Sequence, residues 1–266
     1  MEERYLDSFV ALGDSFTEGL NDARPDGSGY IGWADRVAEV LAARIAPDPF
    51  RYANLAVRGN LVRHVVAEQI EPAIAMAPDL VSVAAGGNDI LRGTDVDSLA
   101  DLFDSGVAQL RAAGCRVLIF TGFDPLAFPL IRLLRGRIAA YNMHLRAIAD
   151  ERGCDLVDLW AMRVLCDPRA WSADRLHLTA EGHRRVALRT CAVLGIPADD
   201  DWRAPLPLLA TTGTGPGWLT ARRQDMRWAR QYAMPWLRRR VRGTSSGDGR
   251  LPKRPELAAI EPAGVS

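Results

Sequence analysis

Short apolar segments recur at intervals through the first 197 residues of the chain. They are Phe9–Leu12, Tyr52–Val57, Leu80–Ala85, Val117–Phe120 and Leu156–Leu159, and most are flanked by Gly, Asp or Pro. Such nearly continuous apolar character over a few residues is typical of a strand that is buried on both faces of a sheet. The pattern therefore predicts five buried strands.

Longer stretches with helical periodicity separate these strands. They are Trp33–Ile45, Leu61–Ala77, Val96–Ala113, Arg137–Arg152 and Ala180–Leu194. Strands that alternate with helical crossovers indicate a parallel sheet with helices on both faces. We therefore predict an α/β protein with a three-layer α/β/α flavodoxin-like fold and a five-stranded parallel sheet. In such sheets ligands bind beyond the carboxyl ends of the strands.

The character of the chain changes after Pro197, which we take as the end of the main domain, residues 1–197. Residues 198–217 carry an acidic triplet followed by Pro, Thr and Gly, and we predict a linker there. Residues 218–242 are rich in Arg and Trp at helical spacing, which predicts a basic amphipathic helical segment. Residues 243–266 contain mainly Gly, Ser, Pro and charged residues, and we predict that they form a disordered tail.

The formal charge of zero, from 33 basic and 33 acidic residues, conceals a division of the chain. Residues 1–198 hold 21 basic and 26 acidic residues, whereas residues 199–266 hold 12 and 7. A mildly acidic domain does not favour binding to polyanions, so no nucleic-acid partner is expected. For the basic segment 218–242 this charge argument does not hold, and the open alternatives are packing on the main domain, a contact with a membrane surface, and a contact with another protein or a nucleic acid.

Polar residues follow two of the predicted strands at the same edge of the sheet. Gly13-Asp14-Ser15 follows the first strand, and Gly86-Gly87-Asn88-Asp89 follows the third. A serine there can act as a nucleophile, and the amide of Asn88 can donate to a developing oxyanion. Each pattern alone also fits an ordinary turn or a helix cap.

Two further features extend this set. Gly59 follows the second strand, where a glycine lets the backbone approach a ligand or simply forms a loop. Asp174 and His177 lie three residues apart in a predicted loop, which allows the carboxylate to orient the imidazole. The other histidines, His64, His144 and His183, lie within helical patterns and are interpreted as ordinary helix residues.

Four blocks occur in this order along the chain: Gly13-Asp14-Ser15, Gly59, Gly86-Gly87-Asn88-Asp89 and Asp174-Arg175-Leu176-His177. Together they resemble the blocks of the SGNH-hydrolase superfamily, the GDSL lipase/esterase family. The resemblance covers about residues 5–197. It implies the three-layer fold, with Ser15 as nucleophile, His177 as base and Asp174 as the residue that orients it. It also implies an oxyanion hole formed by the N–H groups of Ser15 and Gly59 and the side chain of Asn88. No metal or cofactor is implied.

We therefore expect a serine hydrolase that cleaves carboxylic esters with small or medium acyl groups through an acyl-enzyme on Ser15. A thioesterase or lysophospholipase, a deacetylase of acetylated sugars, an acyltransferase and a non-catalytic binding module remain alternatives. The segment after the fourth strand supplies Phe123, Leu126 and Phe128, which either line an acyl pocket or pack on the core.

Two further observations concern the ends of the chain. Gly243-Thr244-Ser245-Ser246-Gly247 fits the G-x-S-x-G nucleophile pattern, but no predicted strand precedes it and no histidine follows it, so we reject it. The N-terminus lacks a basic region followed by an apolar one, and no apolar stretch approaches about 20 residues. These features favour a cytoplasmic location.

Overall fold

A six-stranded sheet forms the centre of the molecule. The computed structural model describes residues 6–128, 131–198, 200–206, 230, 231, 234 and 245–260. The strands are β1 (Ser8–Gly13), β2 (Phe50–Asn54), β3 (Leu80–Ala84), β4 (Arg116–Phe120), β5 (Asp155–Val157) and β6 (Arg254–Ile260). Their order in the sheet is β5-β4-β3-β1-β2-β6. The first five pair in parallel, and β6 pairs antiparallel with β2. The predicted α/β fold with five parallel strands is thus confirmed, and a sixth strand is added.

Helices cover both faces of this sheet. They are α1 (Ser15–Glu18), α2 (Gly32–Ile45), α3 (Val62–Glu68), α4 (Ile70–Ala75), α5 (Gly87–Arg92), α6 (Val96–Ala112), α7 (Arg135–Arg152) and α8 (Ala180–Val193). Buried side chains of α2 and α8, such as Trp33 and Val186, form the core on one face. Those of α3, α6 and α7, such as Val65, Phe103 and Leu145, form the core on the other.

One predicted helix is divided in two. The stretch predicted as Leu61–Ala77 forms α3 and α4, with Gln69 between them. Pro72 lacks the N–H that would continue the helical hydrogen bonds across this point. The side chain of Gln69 is buried there and bonds both the N–H and the carbonyl oxygen of Gly13, at 2.8 and 3.0 Å. The break therefore attaches this helix pair to the end of β1.

The prediction of a disordered tail over residues 243–266 is wrong for residues 254–260, because these form β6. Its apolar run is limited to residues 257–260, and at the sheet edge all seven of its residues are half-buried or exposed. Its hydrogen bonds to β2 order it instead. Among the other C-terminal predictions, most of the linker (residues 207–217) and residues 218–242 other than 230, 231 and 234 lie outside the described residues.

The order of the strands creates a switch point at β1. From β1 the chain moves to β2 on one side, and then to β3 on the other side of β1. Ser15 follows β1 and Asn88 follows β3, so both lie at the carboxyl edge of two neighbouring strands. This is the place where open α/β sheets bind their ligands.

Candidate active site

Ser15 is the first residue of α1, directly beyond the end of β1. Asp14 caps this helix, because its Oδ1 accepts a hydrogen bond of 3.0 Å from the N–H of Phe16. Gly13 has φ of 146°, and a Cβ at this position would overlap the carbonyl oxygen of Ala84. Only a glycine therefore lets the chain turn this closely against β3 and present the serine at the sheet edge.

The structure brings Ser15, His177 and Asp174 together across more than 150 residues of sequence. Ser15 Oγ lies 2.9 Å from His177 Nε2, and His177 Nδ1 lies 2.7 Å from Asp174 Oδ2. His177 and Asp174 belong to the loop that precedes α8. A hydroxyl, an imidazole and a carboxylate in this order are the arrangement that activates a serine as a nucleophile.

The carboxylate of Asp174 is held by several other groups. Its Oδ1 accepts hydrogen bonds from the Ser172 hydroxyl at 2.9 Å and from the backbone N–H groups of Leu176 and His177 at 3.0 Å. Its Oδ2 accepts one from the amide of Asn21 at 2.8 Å. Burial alone would raise the pKa of Asp174, but the hydrogen bond and charge of His177 and these N–H groups hold that pKa well below its usual value.

Sequence reasoning missed Ser172 and Asn21. Asn21 also donates to the Ser172 hydroxyl at 2.8 Å, so the two side chains and Asp174 form one hydrogen-bonded group. The signal for Ser172 was its position two residues before Asp174. Asn21 lies in the loop after α1 with φ of 74°, a conformation that asparagine tolerates better than most residues, but its partner 153 residues away leaves no trace in the sequence pattern.

Asn88 lies at the start of α5, and its side chain faces Asp14. The Nδ2 group donates to Asp14 Oδ2 and to the carbonyl oxygen of Asn60, both at 3.0 Å. An amide NH₂ has two hydrogens, so both are engaged within the protein. Asp14 itself is buried, and this burial raises its pKa to about 6 in spite of the Phe16 N–H and the charge of His177.

Gly59, the third residue predicted for the oxyanion hole, lies in the loop between β2 and α3 with φ of 78°. This loop is attached to α1, the helix that begins with Ser15, because the N–H of Arg58 donates to Glu18 Oε2 at 2.9 Å. The hydroxyl of Ser245 lies against Gly59 in the position that a side chain would occupy. Ser15 and Asn88 line the cavity described next, whereas Gly59 does not.

An apolar cavity of about 190 Å³ opens beside Ser15 and His177. Its walls come from several elements and include Leu20, Ile90, Leu91, Phe123, Ile138 and Trp171. Among the three residues predicted to bind substrate, Phe123 alone lines it. Leu126 is 52% exposed at the surface, and Phe128 is buried behind the wall, where it packs edge-on against Phe123 with ring centroids 5.8 Å apart. The assignment of Leu126 and Phe128 to the pocket wall is therefore wrong.

The remaining histidines occupy the helices predicted for them. His64 accepts the N–H of Leu61 in α3, and His144 pairs with Asp97 at 2.9 Å. His183 is buried in α8 and contributes to the cavity wall, and burial lowers its pKa to about 3, so that it is neutral.

The described part of the chain carries neither a metal-binding cluster nor a membrane-spanning helix. No group of three His, Cys, Asp or Glu side chains in this part lies close enough to hold a metal ion, and all four cysteines are free. None of its helices is long and apolar enough to cross a membrane.

Comparisons with known proteins agree with this geometry. The sequence model of the GDSL-like lipase/acylhydrolase family matches residues 11–185. An acetylxylan esterase from Geobacillus stearothermophilus is 27% identical over 208 residues, which cover 68% of this chain and 90% of that protein. A crystal structure of the acetylxylan esterase Axe2 from the same organism is 25% identical, with a TM-score of 0.60 and coverage of 72% of this chain and 95% of that chain. TesA shares the fold at 23% identity and a TM-score of 0.59, with coverage of 70% and 97%.

Proposed function

The chain belongs to the GDSL-like lipase/acylhydrolase family, and from this premise we propose that Ser15, His177 and Asp174 form its catalytic triad. The protein is a serine hydrolase that cleaves the ester bonds of small acyl substrates. The observation that carries the proposal is the chain of two short contacts, 2.9 Å from Ser15 Oγ to His177 Nε2 and 2.7 Å from His177 Nδ1 to Asp174.

In this mechanism His177 Nε2 takes the proton of Ser15 as Oγ attacks the ester carbonyl carbon. The negative charge of Asp174 stabilises the imidazolium that forms, and its contact with Nδ1 keeps the ring in the required orientation. His177 then gives its proton to the leaving alcohol, and an acyl-enzyme remains on Ser15. Water, activated by the same imidazole, attacks this ester and releases the carboxylic acid.

The negative oxygen of the tetrahedral intermediate requires donors. The N–H groups of Ser15 and Gly59 and the side chain of Asn88 are the candidates. Because both hydrogens of Asn88 Nδ2 are engaged, this amide must exchange one internal hydrogen bond for the oxyanion. Losing one such donor typically costs about 10²–10³ in kcat, so this exchange bears directly on the rate.

For the acyl group we propose a medium-length apolar chain. A cavity of about 190 Å³ with aliphatic and aromatic walls lies beside Ser15, and an acetyl group would leave most of it empty. Each methylene buried there contributes about 0.8 kcal/mol to binding. The second candidate is the acetyl ester of a sugar, which the relationship to acetylxylan esterase favours.

A series of nitrophenyl esters from acetate to octanoate distinguishes these two candidates. The proposal expects kcat/KM to rise at least tenfold from acetate to the medium-length esters, with no measurable turnover by Ser15→Ala. Highest activity on acetate, together with release of acetate from acetylated xylooligosaccharides, would favour the second candidate. Unchanged activity in Ser15→Ala would overturn both candidate functions.

The role of residues 218–242 and the cytoplasmic location stay predictions. For the membrane alternative, the basic Arg238–Arg240 run can be changed to glutamine in the full chain, which retains β6. Equal flotation of the wild type and this glutamine variant with anionic liposomes would exclude a charge-driven membrane contact of this run.

A further inference from the structure

Residues 245–260, which we call the C-terminal strap, lie outside the residues matched by the family. They begin in a turn beside Gly59 and end in β6 at the edge of the sheet. Two parts of the C-terminal strap contact the elements that carry the candidate catalytic groups.

The first contact is made by the turn at residues 245–248. Gly247 is buried, and a Cβ at this position would overlap the carbonyl oxygen of Arg58. The hydroxyl of Ser245 lies against Gly59. The turn is held in shape by its own hydrogen bonds, from Gly247 N–H to Ser245 Oγ at 3.2 Å and from Ser245 N–H to Asp248 at 2.8 Å. It therefore forms a firm surface behind the loop that carries Gly59.

The second contact is made by Lys253, the only lysine among the 33 basic residues of the chain. Its ammonium is largely buried and donates to the carbonyl oxygens of Glu18 at 2.7 Å and Ile31 at 2.6 Å, and to the carboxylate of Asp35. A compact ammonium can satisfy three acceptors around one point, whereas a planar guanidinium cannot. Lys253 thereby joins the end of α1, the helix that begins with Ser15, to the start of α2.

These two contacts are connected through an ion pair. The carboxylate of Glu18 binds both the backbone N–H and the guanidinium of Arg58. The C-terminal strap therefore contacts both partners of this ion pair, Glu18 through Lys253 and Arg58 through Gly247. Helix α1, which begins with Ser15, and the Gly59 loop are thus both in contact with the strap.

We propose that Ser245, Gly247 and Lys253 are positioning residues, and that the C-terminal strap fixes the Gly59 loop at the correct distance from Ser15 for the oxyanion. This proposal rests on the proposed function. An oxyanion donor acts mainly in the transition state, so its displacement lowers kcat and leaves KM nearly unchanged.

The test compares two glycine-to-alanine variants of the full chain. Neither Gly247 nor Gly136 has a left-handed φ, so alanine adds no backbone strain at either position. At Gly247 the new methyl group must force the turn and the Arg58 backbone apart, whereas at Gly136 no atom lies within 4 Å. With the best nitrophenyl ester, Gly247→Ala should lower kcat about tenfold with KM within about twofold. Gly136→Ala should match the wild type.

Ser245→Ala provides a variant that adds no atoms, and it decides the question if Gly247→Ala shows an altered circular dichroism spectrum. We expect it to lower kcat about threefold at unchanged KM, since the Gly59 loop loses one supporting contact. A kcat within about 1.5-fold of the wild type in Ser245→Ala, or equal kcat in folded Gly247→Ala and Gly136→Ala, would overturn the proposal.

A fluorophosphonate separates this outcome from failure of the proposed function. If the wild type is labelled at Ser15 and the variants retain full activity, the strap proposal alone fails. If the wild type is not labelled at Ser15, the proposed function fails, and the strap proposal fails with it.

Discussion

The amide nitrogen of Asn88 donates to the carboxylate of Asp14 at 3.0 Å. The candidate oxyanion donor is therefore bound to the residue that precedes the candidate nucleophile. The strength of this bond depends on the charge of Asp14, which burial keeps protonated to a higher pH than usual.

Asp14→Asn should change how stability depends on pH. In the folded protein the pKa of Asp14 is raised from 3.8 to about 6, so the folded state binds more protons than the unfolded state between these values. The contribution of Asp14 to the free energy of unfolding should therefore fall by about 2 kcal/mol as the pH rises from about 4 to about 6, and Asp14→Asn should lack this contribution. Urea unfolding of both proteins at pH 4, 5, 6 and 7 measures it. A difference between the two that does not vary with pH would contradict the assignment.

His177→Ala should lower kcat by about 10⁴-fold, since Ser15 then has no base. Because the two residues act as a unit, the double variant with Ser15→Ala should be no slower than either single variant. His144→Ala is the matched control, because that histidine is partly exposed and pairs only with Asp97 among its described contacts. Hydrolysis of a nitrophenyl ester gives the rates. Loss of activity in the control comparable with that in His177→Ala would show that the assay reports on folding.

Asn21→Gly should lower kcat about tenfold and lower the melting temperature by a few degrees. Glycine accepts the left-handed φ of 74° and removes the amide that donates to Asp174. A hydrogen bond to a charged group contributes about 1.5–3 kcal/mol, and Asp174 would lose orientation against His177. Asn21→Ala adds backbone strain, so its melting temperature should be the lower of the two. Wild-type kcat in Asn21→Gly would show that the remaining donors suffice.

Leu91→Trp should shift the substrate preference towards short esters. Leu91 lines the cavity, and an indole there would occupy the space proposed for the acyl chain. We expect the ratio of kcat/KM for octanoate to that for acetate to fall at least tenfold. Leu126→Trp is the matched control, because Leu126 is exposed outside the cavity. An equal ratio in the two variants would place the acyl chain elsewhere.

Lys253→Met should lower the free energy of unfolding by about 3 kcal/mol, since it leaves the buried carboxylate of Asp35 without its ammonium partner. Asp35→Asn in the same protein should restore part of this loss, because it removes the buried charge that Arg24 alone then pairs with, at 3.4 Å. Urea unfolding of the wild type, both single variants and the double variant gives the coupling energy. Strict additivity of the two substitutions would contradict a direct pairing.

The sequence pattern predicted the central part of the molecule closely because burial on both faces makes strands β1 to β5 almost continuously apolar. The ends of these apolar runs place Ser15 and Asn88 at one edge of the sheet. The three-residue spacing of Asp174 and His177 in one loop indicates the pair. β6 was missed because its apolar run, residues 257–260, is short and follows proline and charged residues in a polar tail. Its order comes from pairing with β2, about 200 residues earlier in the chain, which a local pattern does not encode.

The cavity wall illustrates a different limit. Phe123, Leu126 and Phe128 lie within six residues of each other and have similar hydrophobicity, yet one lines the cavity, one is exposed and one is buried behind the wall. The direction of each side chain depends on a short 3₁₀ turn at Pro125–Ala127 and on packing against Trp171 from a distant loop. Neither is encoded by local periodicity.

The pairing of β6 with β2 also has a consequence for biosynthesis. β2 is complete once residue 54 has been added, but its neighbour on the outer edge is added roughly 200 residues later. During translation the nascent chain therefore carries an open strand edge, the kind of surface that promotes association between chains. If the C-terminal strap positions the Gly59 loop as proposed, full activity should appear only once residues 245–260 have left the ribosome and β6 has paired with β2.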